Sequence, residues 1–423
     1  MESPTRVRYY IVGTTTLVAV LLYLDRICIG TIADRPDFKE AFGIGDEGSG
    51  AIKSAFFYAY ALAQVPAGWL ADRYGARGML TFYLVAWSVC TVLTGLASGL
   101  VMLIAARALF GIAQAGCYPT AGGLIKRWIP VEGRGRASSI VSIGGRVGGV
   151  IAPALTAWLL ADYLSWRGVL LLYGVSGMFV AALVWRNIRE CAANHPQANE
   201  AEQQLVTAKS PSEETGPPRW PPLVPLIKSG SMWLMCLLQF AINIGWVFVA
   251  MWLTKYLMDY HNVAEKTAGV MKSTVLGVGV CGLLLGGPLA DWLVKRHGAL
   301  RGRRIQLVGA YACAAAAYGV VMLLDSPWAI VGALSVVAFM VDLSIPPIWA
   351  HMMDVGGRNA AAVFGWGNMW GNIGAGVSIN LVPVVNRHFD RNADWHETFA
   401  MFSVALVIAA IAAFGLNPKR AIE

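Results

Sequence analysis

The sequence has few charged residues: Asp, Glu, Lys and Arg make up 14% of its 423 residues, whereas 57% are hydrophobic. A single globular core cannot bury this much apolar surface. The composition therefore excludes an ordinary water-soluble domain and predicts a protein that lies in a lipid bilayer.

Three chemical signatures are also missing. The seven cysteines include no CxxC pair and no partner His at metal-ligand spacing, so no metal or other cofactor is predicted. There is no Gly-x-x-x-x-Gly-Lys phosphate loop, which excludes an ATP-driven pump. No nucleophile with a spaced base is present, so we do not expect an enzyme.

Positive charge is in excess, with a formal net charge of +8. The lysines and arginines lie in short segments between apolar runs and form no single basic face, so we expect no nucleic-acid partner. Positive residues in short loops mark the cytoplasmic side of an inner-membrane protein. The positions on this side are Arg6, Arg8, Arg73, Arg77, Lys126, Arg127, Arg134, Arg136, Lys295, Arg296, Arg301, Arg303, Arg304, Lys419 and Arg420. Both termini are therefore expected in the cytoplasm.

About twelve apolar runs are long enough to cross a bilayer, which needs ~20 residues. They lie near 9–31, 49–71, 79–98, 101–126, 137–161, 168–187, 231–258, 267–294, 305–324, 328–353, 359–386 and 397–416. The first run lacks a cleavage site, so we expect it to stay as a membrane helix. A polar segment separates six runs from six, which predicts helical bundles at 1–188 and 230–423 and a cytoplasmic linker at 189–229.

One loop sequence occurs twice. GWLADRYGAR, from Gly68 to Arg77, follows the second run, and GPLADWLVKR, from Gly287 to Arg296, follows the eighth. A repeated six-helix unit is typical of transporters that work by alternating access.

This organisation resembles the major facilitator superfamily, an all-α membrane fold of two pseudo-symmetric six-helix bundles. Within it, the chain is similar to the anion:cation symporter family, which includes bacterial sugar-acid and phthalate carriers. The residues that carry this likeness are Tyr23 to Arg26, Ser54 to Tyr60 with Gln64 to Pro66, Arg107 to Gln114, Trp252 to Tyr256, and Gly367-Asn368 with Gly371-Asn372. The resemblance implies that Asp72 caps a neighbouring helix, and that Gly68, Asp72, Arg73, Arg77 and Asp291 belong to a conformational switch.

Three arginines lie inside apolar runs, where each costs at least ~2.5–3.5 kcal/mol and needs a wet cavity or a partner. Arg26 and Arg107 are expected to bind the substrate. The alternatives are an ion pair of Arg26 with Asp25 and an outward-snorkelling Arg107. Arg146 departs from the family, which has an uncharged polar residue there, and it either binds substrate or pairs with Asp342.

Gln114 lies seven residues after Arg107 on the same helix face, and Gly111 is expected to leave open space between them. The family usually has an acid at the position of Gln114, which is implied to carry a proton. Glutamine cannot titrate, so we expect Asp25, and with it Asp342, to carry the coupling proton.

Further hydroxyl and amide groups lie on helices expected to line the cavity, where they can orient an anionic ligand. They are Tyr23, Tyr60, Gln239, Asn243, Ser344, Asn368 and Asn372. Lys53 begins the second run and belongs either to an outer gate or to the membrane interface.

The sequence therefore predicts a monomeric secondary transporter that imports carboxylate-bearing organic anions, with protons as the coupling ion. An uncoupled facilitator or an anion exchanger is the alternative within transport, and Gln114 favours it. A sensor that binds the anion without moving it is the alternative from another class.

Overall fold

The computed structural model describes residues 3–33, 35–44, 46–207, 220–388 and 395–417. Regular secondary structure in these ranges is helical. The α-helices are α1 (Val7–Ala33), α2 (Pro36–Phe42), α3 (Asp46–Tyr74), α4 (Ala76–Gly95), α5 (Leu100–Ala115), α6 (Cys117–Trp128), α7 (Arg134–Asp162), α8 (Trp166–Asn187), α9 (Glu200–Thr207), α10 (Leu223–Lys228), α11 (Gly230–Val247), α12 (Leu253–Asp259), α13 (Glu265–Val321), α14 (Pro327–Leu343), α15 (Ile345–Val355), α16 (Ala360–His388) and α17 (His396–Gly415).

Nine helical segments of the described residues are long and apolar enough to span a membrane. One of them, α13, supplies two crossings: its 57 residues would extend about 86 Å, far more than the ~30 Å hydrocarbon core. Gly298 divides it, with a φ of 79° that favours glycine. The more polar helices α3 and α16, with 29 residues each, complete the predicted twelve crossings.

The helices form two bundles of six crossings, α1 to α8 and α11 to α17. The predicted all-α fold is confirmed. The segment between the bundles is less independent than its polar composition suggests, because its helix α9 is fastened to the start of α1. Glu202 of α9 is buried and accepts a hydrogen bond of 2.6 Å from Arg8.

We call one end of the bundle the basic end; it carries Arg73, Arg77, Lys126 and Arg127, and there α1 begins and α17 ends. The two bundles meet most extensively along α3 with α16 and α7 with α13, and α6 and α7 also contact α15 or α16. Gly68 of α3 lies directly against the carbonyl of Ala361, where a Cβ atom would overlap the backbone of α16. This glycine therefore permits the close approach of the two bundles near the basic end.

Three of the crossings are interrupted at mid-membrane. The fourth breaks between α5 and α6, and the tenth breaks between α14 and α15, where Pro346 and Pro347 lack the amide hydrogen that would continue the helix. The seventh has a π-helical turn at Phe248–Trp252 between α11 and α12. Such irregularities are frequent at functional sites. Each lies within two residues of a polar or aromatic group described below: Gln114, Asp342 and Trp246.

Candidate functional site

The side chain of Arg26, on α1, lies in a cradle of aromatic rings from the first bundle. The guanidinium carbon is 4.5 Å from the ring centre of Tyr60, 4.9 Å from that of Phe56 and 5.0 Å from that of Tyr23. Ring faces attract cations, and they do so without neutralising them. Arg26 Nη2 is buried and lacks a hydrogen-bond partner. The arrangement holds a positive charge with donor capacity to spare.

Gln114, at the end of α5, supplies the polar contact to this arginine. Its Oε1 accepts from Arg26 Nε at 3.2 Å, and its Nε2 donates to the carbonyl of Leu22 at 3.1 Å. Gln114 is fully buried, so these bonds fix its orientation. A carboxylate here would neutralise the arginine, whereas the amide leaves the positive charge available.

Asp25 points away from Arg26 although the two are adjacent in sequence. Its Oδ2 accepts a 3.0 Å hydrogen bond from the indole nitrogen of Trp87, and its Oδ1 is buried without a partner. Neighbours on a helix project about 100° apart, which explains the divergence. The alternative of an ion pair between Asp25 and Arg26 does not occur in this structure.

Arg107 lies buried inside the first bundle, where it shares one neighbouring ring, Phe56, with Arg26. It is 2% exposed, with its guanidinium carbon 4.4 Å from the ring centre of Phe110 and 5.4 Å from that of Phe56. It also interacts electrostatically with Asp25. Phe56 thus contacts both arginines, and Arg107 compensates the buried Asp25.

The expectation that Gly111 leaves open space is wrong. A Cβ atom at Gly111 would lie 2.5 Å from the carbonyl oxygen of Phe56, on the backbone of α3. The glycine instead lets α3 and α5 pack closely, which positions the aromatic residues that surround Arg26.

Arg146, on α7, pairs with Asp342, on α14, across the two bundles. The Nη2 to Oδ1 distance is 2.5 Å, with 23% of the arginine side chain and 5% of the aspartate side chain exposed. The guanidinium carbon also lies 5.0 Å from the ring centre of Trp246. The sequence left substrate binding and pairing open for Arg146; the structure has the pair.

The predicted amides of the second bundle cluster on α11 and α16. Asn243 donates to the carbonyl of Gln239 at 2.8 Å, and Asn372 donates to that of Asn368 at 2.8 Å. Asn368 also donates to Gln64 of α3 at 2.7 Å, which joins the bundles. Gln64 was overlooked as a site residue, although it lies in the sequence segment that carries the family resemblance.

One predicted residue lies in a different setting, and another is not described. Ser344 is fully buried and accepts a 2.9 Å hydrogen bond from Tyr311 at the break in the tenth crossing, so its role here is to support the helix end. Lys53 lies on α3, but its side chain is outside the described residues.

At the basic end, two aspartates cap helices of the opposite bundle. Asp72 accepts from the amides of Ala361 and Ala362, at the start of α16, at 3.1 and 2.9 Å. Asp291 accepts from the amides of Gly135 and Arg136, at the start of α7, at 2.9 and 3.2 Å. A carboxylate is favoured at a helix N-terminus, so both caps hold the bundles together.

Asp354 of α15 reinforces this closure by pairing with Arg134 of the first bundle and Arg303 of the second. The predicted switch residue Arg77 remains within its own bundle, 4.0 Å from the ring centre of Trp185. Arg73 contacts the ring of Trp69 at 5.4 Å. At the basic end, Asp72, Asp291 and Asp354 therefore make contacts between the bundles. Arg73 and Arg77 contact aromatic rings of the first bundle.

The Major Facilitator Superfamily profile matches residues 15–379. The chain belongs to this superfamily. It is 28% identical to a probable sulfoacetate transporter of Cupriavidus necator, over 100% of this chain and 97% of the relative. It is 27% identical to a probable galactarate/D-glucarate transporter of Escherichia coli K12, over 99% of this chain and 97% of the relative. These relatives agree with the resemblance to sugar-acid carriers of the anion:cation symporter type.

Solved structures of the superfamily share the fold. A proton:xylose symporter superposes with a TM-score of 0.73 at 12% identity, covering 98% of both chains. The fucose:proton symporter of Escherichia coli superposes with a TM-score of 0.70 at 15% identity, covering 97% of this chain and 100% of the other. The chain is thus a multi-pass membrane transporter of the superfamily and not an enzyme.

Proposed function

We propose that this protein imports a carboxylate-bearing organic anion across the inner membrane by proton symport, working as a monomer with both termini in the cytoplasm. Full-length relatives are named as transporters of sulfoacetate and of galactarate and glucarate, which are organic acids. The predicted division into bundles at 1–188 and 230–423, joined by the linker 189–229, supplies the two bodies that alternating access needs.

The observation that carries the proposal is the environment of Arg26. A guanidinium at mid-membrane is costly unless it is functional or paired. Here its polar side-chain partners, Gln114 and Tyr60, are neutral and its Nη2 lacks a partner, so an anion would complete it. Arginine binds carboxylate through two parallel hydrogen bonds, which suits this donor. Tyr60 and Tyr23 would flank the bound group.

The basic end is the cytoplasmic end in this proposal, because positive residues concentrate in cytoplasmic loops. The caps at Asp72 and Asp291 would then close the cytoplasmic side. Release into the cell would require both caps to separate.

Proton coupling would offset the free-energy cost of moving an anion into the cell. An inside-negative potential opposes anion entry by ~2.3 kcal/mol per charge per 100 mV, and a co-transported proton offsets this. Asp25 is the proposed carrier, because its Oδ1 has no partner and its compensating Arg107 lies in the same buried cluster. Asp342 is the second candidate, since it would be released whenever Arg146 binds another anion.

Uptake into proteoliposomes tests this function. Purified wild-type protein is expected to accumulate radiolabelled organic acids when the outside is acidic, and Arg26→Gln is expected to lower uptake at least tenfold. Asp25→Asn is expected to abolish accumulation driven by the pH gradient while counterflow exchange continues. Preference for neutral or cationic solutes would overturn the anion proposal, and undiminished coupling in both Asp25→Asn and Asp342→Asn would overturn the proton assignment.

An uncoupled facilitator or anion exchanger is the second candidate, and Gln114 is the observation that favours it. Glutamine cannot carry the proton that an acid would carry beside Arg26. The mark of this candidate is uptake that does not respond to a pH gradient but is stimulated by anions loaded inside the vesicles.

A further inference from the structure

We propose that Arg146 is the subsite for a second acidic group of the substrate, and that this group displaces Asp342 and thereby releases one bundle from the other. The transported substrate is then a dianion whose first acidic group binds Arg26. This inference rests on the proposed function and adds the substrate class and the trigger for opening the basic end.

The first step is that Arg146 and Arg26 both interact electrostatically with the same tyrosine, Tyr23. The Arg26 guanidinium lies 5.0 Å from the ring centre of Tyr23. Gly145, the neighbour of Arg146, packs against this ring, since a Cβ atom there would lie 2.9 Å from Tyr23 Cε2. Both guanidinium groups also interact electrostatically with Tyr118. Arg26 and Arg146 therefore both lie near the aromatic pair Tyr23 and Tyr118. A ligand with two acidic ends requires two such cations.

The second step is that the present partner of Arg146 belongs to the opposite bundle. Asp342 reaches it from α14, and the Oδ2 of this aspartate fills the place where a Cβ atom at Gly279 would lie, 2.8 Å away. The pair is more than three-quarters buried on both sides. It joins the two bundles nearer the membrane centre than the caps at Asp72 and Asp291.

The third step is that an incoming anion can break this pair at low cost. Removing Asp342 alone would leave a buried charge, which is strongly unfavourable. A carboxylate or sulfonate that replaces Asp342 keeps Arg146 compensated, and the released Asp342 carboxylate takes up the co-transported proton, so neither side chain is left as an unpaired buried charge. The same exchange detaches α14 from α7. A monoanion bound at Arg26 leaves the pair intact, and the bundles stay joined.

The test compares matched substrates that differ in one acidic group. The probes are glucarate with gluconate, and sulfoacetate with propionate, in which a methyl group replaces the sulfonate. Initial uptake is measured in proteoliposomes for wild type, Arg146→Gln, Asp342→Asn and the double variant Arg146→Gln/Asp342→Asn. The double variant is neutral at both positions, so it carries no isolated buried charge that could prevent folding.

We expect wild type to favour the dianion of a pair at least about tenfold, the size of one lost charge-assisted bond. Arg146→Gln and the double variant should lose this preference, with monoanion uptake retained in the double variant. Asp342→Asn should bind the dianion more tightly, because no carboxylate competes for Arg146. The exposed pair Arg35 and Asp37 provides the control: Arg35→Gln should leave the preference unchanged.

A second readout follows the opening directly. Hydrogen exchange at the first amides of α7 and α16 should rise on adding the dianion and stay unchanged with the monoanion. Equal wild-type uptake of both members of each pair would overturn the proposal, as would a dianion preference that survives in the double variant. Wild-type protein that transports no organic acid at all would instead overturn the proposed function.

Discussion

Asp72→Asn perturbs the closure of the basic end with the smallest change in shape. The native carboxylate is 6% exposed and accepts from two amides of α16, at 3.1 and 2.9 Å. Asparagine offers one acceptor oxygen and no negative charge, so one of the two bonds and the interaction with the helix dipole are lost. We therefore expect the closed state to lose stability relative to the state open at the basic end.

The magnitude follows from these contacts. A hydrogen bond to a charged group contributes ~1.5–3 kcal/mol, and a charge at a helix terminus adds ~0.3–1 kcal/mol. The sum, about 2–4 kcal/mol, shifts the ratio of open to closed molecules about 30- to 700-fold. Asp291→Asn is the matched comparison, because Asp291 caps α7 with the same number of bonds. The two effects should add in the double variant, since the sites are separate.

Distances between spin labels at Tyr74 and Arg358 measure this shift. Both residues are exposed at the basic end, one in each bundle, and the native cysteines would first be replaced. Wild type should give one short distance, and Asp72→Asn should give a second, longer one. Thermal unfolding of each variant checks that the protein remains folded. An unchanged distance distribution in both Asp72→Asn and the double variant would refute this account of the closure.

Three further substitutions probe the interior. Gly111→Ala should lower the melting temperature and reduce Arg26-dependent uptake, because overpacking against α3 costs ~1–3 kcal/mol. The control is Gly13→Ala, since a Cβ atom at Gly13 would meet no other atom within 4 Å. Trp87→Phe should destabilise the protein by ~1–3 kcal/mol, because it removes the hydrogen-bond donor to the buried Asp25. Rescue of stability by Asp25→Asn would support this cause. An unchanged unfolding midpoint in Trp87→Phe would contradict it. Asp354→Asn should favour opening of the basic end in the same distance measurement, because two arginines lose their shared partner; an unaltered distribution would argue against this role.

The helix count and the bundle fold were predictable from the sequence because membrane insertion depends on the length and polarity of local runs. The duplicated loop also indicated where the two capping aspartates lie. It did not show that Glu202 fastens the linker helix to α1, since that contact joins residues 194 positions apart. The breaks at the fourth and tenth crossings were likewise hidden within continuous apolar runs.

For the site, residue type alone selected Arg26, Gln114, Arg146 and Asp342, because polar groups in lipid need a partner or a function. Which partner each one has was decided by tertiary structure. Gln114 contacts Arg26 and Arg146 contacts Asp342, through helices that are distant in the chain. Whether each of these residues acts in transport remains a prediction that the assays above address.

The sequence by itself determined that this chain crosses the membrane about twelve times in two repeated units and carries arginines and aspartates inside its apolar runs. Only the tertiary structure decided which charges compensate each other: Arg107 lies near the buried Asp25, and Arg146 of α7 pairs with Asp342 of α14. The physical reason is that hydrophobicity is summed along a run, whereas electrostatic compensation depends on distances of a few ångströms between helices.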